Sequence, residues 1–221
     1  MSPHANQIEP PAASSTADNP APKKKRRRRR RLPKNFKPRQ MEAFDSVAQA
    51  AVNTATKSKK TKAFRDLVML QTIRYAGLRI SELCNLRIEH MDLEDGEINV
   101  IHGKGDVDRN VGIHDKLLPV LITWIGDRKE GYLFPGRGDK PVSVRTFQRR
   151  LPALAKAAGF ILTKENKANP HRLRHTFATA LYKATGNLRL VQEALGHANL
   201  QTTAIYLHVE VDDLKEGINR I

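Results

Sequence analysis

The sequence is short of cysteine, of acid and of long apolar runs. It has one cysteine, Cys84, and 23 Asp+Glu against 39 Lys+Arg in 221 residues, a formal charge of +16. A single cysteine excludes an internal disulfide and with it a disulfide-stapled scaffold. The longest apolar run, Leu117 to Ile125, is nine residues and contains Pro119 and Thr123. A membrane-spanning helix needs about 20. No signal-peptide-like apolar stretch precedes the basic run, so a reducing, cytoplasmic setting is expected. Internal repeats and a Gly-rich phosphate loop are missing too. The shortage of acid is uneven. Residues 1–39 carry 12 basic and 2 acidic side chains, and residues 40–221 carry 27 and 21. A positive excess in both parts points to a polyanionic partner, most simply nucleic acid.

Composition divides the chain at about residue 38. Residues 1–22 are rich in Pro, Ala, Ser and Asn. Such a segment has too little apolar surface to offset the entropy of ordering. Then come Lys23, Lys24, Lys25, Arg26, Arg27, Arg28, Arg29, Arg30 and Arg31, nine like charges in a row. They repel one another and cannot pack in a core. Residues 1–38 therefore read as a disordered arm, ordered when it lies along DNA phosphates. The same run fits a nuclear-import signal, which would need a eukaryotic host.

From residue 39 to 221 the pattern is that of a folded body, mainly α with a small antiparallel β-sheet. Helical spacing covers Met41 to Val52, and the polar stretch Asn53 to Lys62 reads as a loop. Ala63 to Tyr75 is the next helix, with Gly77 as its stop, and Ile80 to Leu86 is a short one. The period then changes: Glu97 to His102 and Asn110 to Ile113 read as strands joined by a Gly- and Asp-rich turn. Leu117 to Ile125, Val144 to Ala158, His171 to Ala184, Leu188 to Leu195 and Leu200 to Leu207 read as helices.

Several short stretches could carry chemistry. Arg79 and Glu82 in GLRISEL are three apart, so on a helix they would share a face. Taken alone, they read as a surface ion pair worth a few tenths of a kcal/mol. Lys104, between Gly103 and Gly105, would sit exposed at a hairpin tip, and an ordinary polar turn would look the same. In Asn169-Pro170-His171-Arg172-Leu173-Arg174-His175, Asn is a cap and Pro a first helical residue. His171 and Arg174 then project from a first turn whose free N–H groups favour an anion. His171 and His175 have zinc-pair spacing, but no Glu lies between them and Arg172 and Arg174 would repel a cation. His175 reads equally as a buried structural histidine. Gly196 should close a helix, leaving His197 on a tight connection and Tyr206 late on a short helix. A lone helical Tyr is ordinarily a packed aromatic.

In combination, the order GLRISEL, GKG, HRLRH, LGH and a Tyr nine residues after that His resembles the tyrosine recombinase (phage integrase) family. The resemblance runs from about Arg39 to the C-terminus. It implies a first phosphate-binding arginine at Arg79 with Glu82 as its acidic partner, and a hairpin lysine at Lys104. It implies a histidine and second arginine at His171 and Arg174, a further phosphate donor at His197, and the nucleophile at Tyr206. It also implies double-stranded DNA as substrate and a tetramer on DNA, joined through the segment after Tyr206, with no metal or cofactor. Ionising a phenol of pKa near 10 at pH 7 costs roughly 4 kcal/mol. Two arginines on one phosphate offset that cost, and their planar forks match its oxygens. Related readings are a type IB topoisomerase-like relaxation and a DNA-binding regulator that keeps the fold without the reaction.

Two departures from the family's pattern stand out. A second basic residue often follows the hairpin lysine; here that position is Val107. Typical members also carry a core-binding domain ahead of the catalytic one, where this chain has its arm, so it resembles the short forms. The arm would then replace a half-clamp electrostatically. Deleting residues 1–31 is expected to weaken DNA binding and to flatten its log–log salt dependence by about 0.9 per lost phosphate contact. An unchanged slope in salt titrations would show that the arm does not grip DNA.

Overall fold

The computed structural model describes residues 35–101, 108–163 and 166–196. The basic run, the expected hairpin tip and everything after Gly196 lie outside these residues. So do the expected helix from Leu200 to Leu207 and all but the last four residues of the expected arm. Those four, Asn35 to Pro38, belong to the body. Phe36 is buried, its N–H donates to Thr176 Oγ1 (3.0 Å), and Asn35 Nδ2 donates to Thr179 Oγ1 (2.8 Å).

Among the described residues the order is α1 (Pro38–Thr54), α2 (Lys57–Ala76), α3 (Ile80–Asn85), a 3₁₀ turn (Ile88–His90), β1 (Met91–Asp92), β2 (Glu97–Val100), β3 (Arg109–Gly112), α4 (Leu118–Ile125), α5 (Val144–Ala157), α6 (Pro170–Thr185) and α7 (Leu188–Leu195). The mainly helical body with one small antiparallel sheet is as expected. The sheet gains a short first strand, β1, which the sequence pattern did not reveal. Its order is β1-β2-β3, with Ile98 opposite Val111 and Val100 opposite Arg109. Asp92 closes the β1–β2 turn by accepting from the N–H groups of Glu94 (3.0 Å) and Asp95 (2.8 Å).

The stretch expected to be a loop, Asn53 to Lys62, is mostly helix. α1 runs on to Thr54 and α2 begins at Lys57, six residues before the expected start. Four lysines, at 57, 59, 60 and 62, hide that start. Cations oppose the positive end of the helix dipole, no acid lies in the first turn, and Thr56 at the cap makes no side-chain cap hydrogen bond. Packing further along α2 overrides this local preference. Five consecutive residues, Asp66 to Leu70, are buried, so this half of α2 is covered on every side and forms the centre of the body. α1, α4, α5 and α6 all pack against it. The buried Asp66 carboxylate is paired by Arg65 (2.8 Å) and by Arg150 of α5 (2.6 Å), which ties two helices together.

An aromatic cluster closes the core where α1 meets the segment after α5. Phe44 is fully buried and meets Phe36 (5.2 Å) and Phe160 (4.6 Å) edge to face. Among the described residues no helix is long and apolar enough to cross a membrane. Phe44→Ala is expected to cost about 3–5 kcal/mol of stability, because the flanking rings cannot collapse into the gap. A shift in the denaturant midpoint worth under about 1 kcal/mol would show that the cluster is not a cohesive part of the core.

Candidate active site

α3 is short, and its first turn is organised around Glu82. Arg79 is the residue capping the helix, and Glu82 sits three positions on. Glu82 Oε2 accepts from the Arg79 backbone N–H (2.7 Å), and Oε1 accepts from Arg79 Nη1 (2.9 Å). The pair is therefore a helix cap, with Arg79 extended ahead of the helix, not two neighbours on a helical face. Nor is it a surface pair. The Glu82 side chain is 5% exposed, so the few tenths of a kcal/mol of an exposed pair do not apply.

Burying a carboxylate is costly unless it is paired and hydrogen-bonded. Here two further guanidiniums converge on it. Arg109, from β3, reaches both oxygens, with Nη2 2.8 Å from Oε2 and Nη1 3.2 Å from Oε1. Arg174, from α6, places Nη1 3.6 Å from Oε2. Burial alone pushes the Glu82 carboxyl upward. The hydrogen bonds and charge of Arg109, the Arg79 amide and the Arg174 charge outweigh it and hold the group below the ordinary glutamate range.

The same three arginines meet the end of α7. Arg109 Nε donates to Ala194 O (3.0 Å), Arg174 Nη2 to Leu195 O (2.5 Å) and Arg79 Nη2 to Gly196 O (3.1 Å). Terminal carbonyls of a helix lack intrahelical partners and carry partial negative charge, so cations suit them. Arg174 Nη1 also donates to the carbonyl of Gly77 (2.8 Å), the left-handed residue that ends α2. α7 is held on α6 by a small apolar cluster of Ala178, Val191 and Leu195, flanked by Phe177, Leu181 and Tyr182. Gly77 makes room for that packing: a Cβ there would lie 2.2 Å from the Phe177 ring.

α6 begins as its sequence implied. Asn169 Oδ1 accepts from the Arg172 N–H (2.9 Å) and Pro170 is the first helical residue. Arg172 and Arg174, two positions apart, serve different sides of the helix. Arg174 enters the Glu82 cluster. Arg172 lies over the Phe36 ring at 3.8 Å and braces the entry to α1. His175 is buried beneath the helix. His171 keeps an exposed edge; the surrounding packing, and then the Arg174 charge, lower its pKa. Both effects favour the uncharged imidazole, the form able to take a proton.

Of the site residues read from the sequence, the structure thus gathers Arg79, Glu82 and Arg174 on one centre and sets His171 on the first turn of the helix that carries Arg174. Lys104, His197 and Tyr206 lie outside the described residues, as do Lys23 to Arg31. Arg109 was missed. A signal for it was present: strand residues two apart share a face, so an inward Val111 makes position 109 inward as well. A charged residue at an inward register needs a buried partner.

The Phage integrase family model matches residues 44–212. The chain is 37% identical over 191 residues to tyrosine recombinase XerC of Xylella fastidiosa (strain M23), covering 84% of this chain and 62% of that protein. It is 41% identical over 157 residues to XerC of Escherichia coli O157:H7 (strain EC4115 / EHEC), covering 69% and 51%. The chain therefore spans between about half and three fifths of the curated relatives it matches. Among solved structures, the XerA recombinase crystal structure aligns with a TM-score of 0.70 at 30% identity, covering 86% of this chain and 65% of that one. XerH site-specific recombinase, in a post-cleavage complex with palindromic difH substrate, aligns at 0.70 and 28%, covering 85% and 53%.

Glu82 supplies a pH test. A carboxyl held below its unfolded value contributes stability above that value and loses it as pH falls through the folded one. Glu82→Gln is expected to be less stable than the wild type at pH 7, with the difference narrowing as pH drops below the ordinary glutamate range. A pH-independent difference in denaturant titrations would contradict the charge network.

Proposed function

Because the chain belongs to the phage integrase family, we propose that it breaks and rejoins double-stranded DNA at defined sites through a covalent 3′-phosphotyrosyl bond to Tyr206. The observation that carries this reading is the convergence of Arg79 and Arg174, from separate elements, on one buried carboxylate. Arg79, Arg109 and Arg174 around Glu82 leave a net positive charge in a desolvated setting, where an incoming phosphate is held strongly.

In this mechanism the Tyr206 oxygen attacks the scissile phosphorus, and the bond from phosphorus to the 5′ oxygen breaks. His171, whose lowered pKa favours the neutral imidazole, takes the phenolic proton. Lys104 returns a proton to the leaving 5′ oxygen. His197 donates a further hydrogen bond to the phosphate. Glu82 does not react; it holds Arg79 in place. A 5′ hydroxyl from another strand then attacks the phosphotyrosine and reverses the chemistry. One phosphoester replaces another at each step, so the reaction needs neither a nucleotide nor a metal.

Residues 39–221 form the catalytic domain in this reading, and residues 23–31 grip DNA. Protomers assemble as a tetramer on DNA through the segment after Tyr206. The protein works with its DNA in the cytoplasm of a prokaryotic host, at the nucleoid.

A nicked suicide duplex tests the reading. The wild type is expected to form an SDS-stable DNA adduct and Tyr206→Phe none. An adduct from neither protein would favour a DNA-binding regulator, and sequence-independent relaxation of supercoils would favour topoisomerase-like activity.

A further inference from the structure

Arg109 lies outside the motifs that carry the functional reading, yet its guanidinium reaches both oxygens of Glu82. We propose that Arg109 is a positioning residue for DNA cleavage: it shares the charge of the Glu82 carboxylate and ties it to the end of α7, so that Glu82 braces Arg79 and Arg174 without outcompeting phosphate for them. This inference rests on the proposed DNA-cleaving function.

Three features support it. The first is location. Arg109 opens β3, pairs with Val100 and faces inward, with a side chain only 8% exposed. A buried guanidinium costs several kcal/mol unless it is well paired, and here its Nε, Nη1 and Nη2 all donate within the site. The second is geometry. The planar fork of Arg matches both carboxylate oxygens at once, which a lysine cannot do. Glu82 thereby has a partner on each oxygen besides Arg79. The third is space. Gly196 is left-handed (φ +62°), and a Cβ there would lie 2.8 Å from Arg109 Nη1 and 3.0 Å from its Cδ. The glycine of the LGH motif thus does two things: it ends α7, and it admits the Arg109 side chain beneath that end.

Charge gives the consequence. Remove Arg109, and Arg79 and Arg174, already paired with the buried carboxylate, are left as its only cations among the described residues. Its hold on both would tighten and compete more strongly with the phosphate. The loss should appear in the chemical step more than in duplex affinity, which phosphate contacts elsewhere supply.

The experiment measures single-turnover adduct formation on a suicide duplex, alongside duplex affinity and thermal unfolding. It uses the full-length wild type, Arg109→Gln, Arg109→Lys, Glu82→Gln and the Arg109→Gln/Glu82→Gln double variant. Arg109→Gln is expected to slow adduct formation by on the order of 10²-fold, the scale of an ångström-sized misplacement of a reacting group. Duplex affinity should stay close to that of the wild type. Arg109→Lys should remain folded and still be slow. In the Glu82→Gln background, losing Arg109 should cost little more, because both act through one contact. A wild-type rate for folded Arg109→Gln or Arg109→Lys overturns the positioning role, as do two losses that simply multiply. If Arg109→Gln does not fold, the Lys variant decides. No adduct from the wild type overturns the DNA-cleaving function itself, and this role with it.

Discussion

A carboxylate taken out of water must be compensated, and in this protein the compensation assembles the site. Glu82 draws guanidiniums from three places: the residue just ahead of α3, the first residue of β3, and the first turns of α6. Those elements are far apart in sequence. No single one would hold an arginine in a fixed direction, because a solvent-exposed arginine samples many rotamers. Shared around one acid and one helix end, the three become mutually braced. In the proposed mechanism two of them, Arg79 and Arg174, are thus fixed before any DNA arrives, which is the condition under which fixed charge accelerates a reaction most.

The fold serves that arrangement through helix ends. α2, buried through its second half, ends at Gly77, whose carbonyl receives Arg174. α7 ends at Gly196, where three successive carbonyls each receive a different arginine. Both glycines are left-handed, and at both a side chain would collide with a neighbour, Phe177 in one case and Arg109 in the other. They are therefore needed twice over, for backbone conformation and for space. Helix dipoles oriented in this way add partial negative charge exactly where the cations gather, without adding a second buried acid.

Much of this was legible in the sequence, and the rest fails for identifiable reasons. The caps at Asn169, Gly77 and Gly196 are local signals, and each stands where the residues put it. The alternation in β2 and β3 marked the sheet, although the two-residue β1 is too short to have a period. The start of α2 was hidden because its lysines oppose the helix dipole, and only tertiary burial of Asp66 to Leu70 overrules them. Arg79 and Glu82 were recognisable as a pair, but spacing alone could not tell a surface pair from a buried hub. That distinction depends on Arg109 and Arg174, 27 and 92 positions further along. Arg109 itself was readable only by carrying the strand alternation one residue past the apolar pattern.

The proposed mechanism seats the scissile phosphate on Arg79 and Arg174, braced on Glu82. The most direct test is a crystal structure of the Tyr206→Phe protein bound to a duplex containing its mapped cleavage site. The scissile phosphate is expected within hydrogen-bond distance of both guanidiniums, with the Glu82 carboxylate on their far side. A phosphate bound away from this pair, with Arg79 and Arg174 still closed on Glu82 alone, would contradict it.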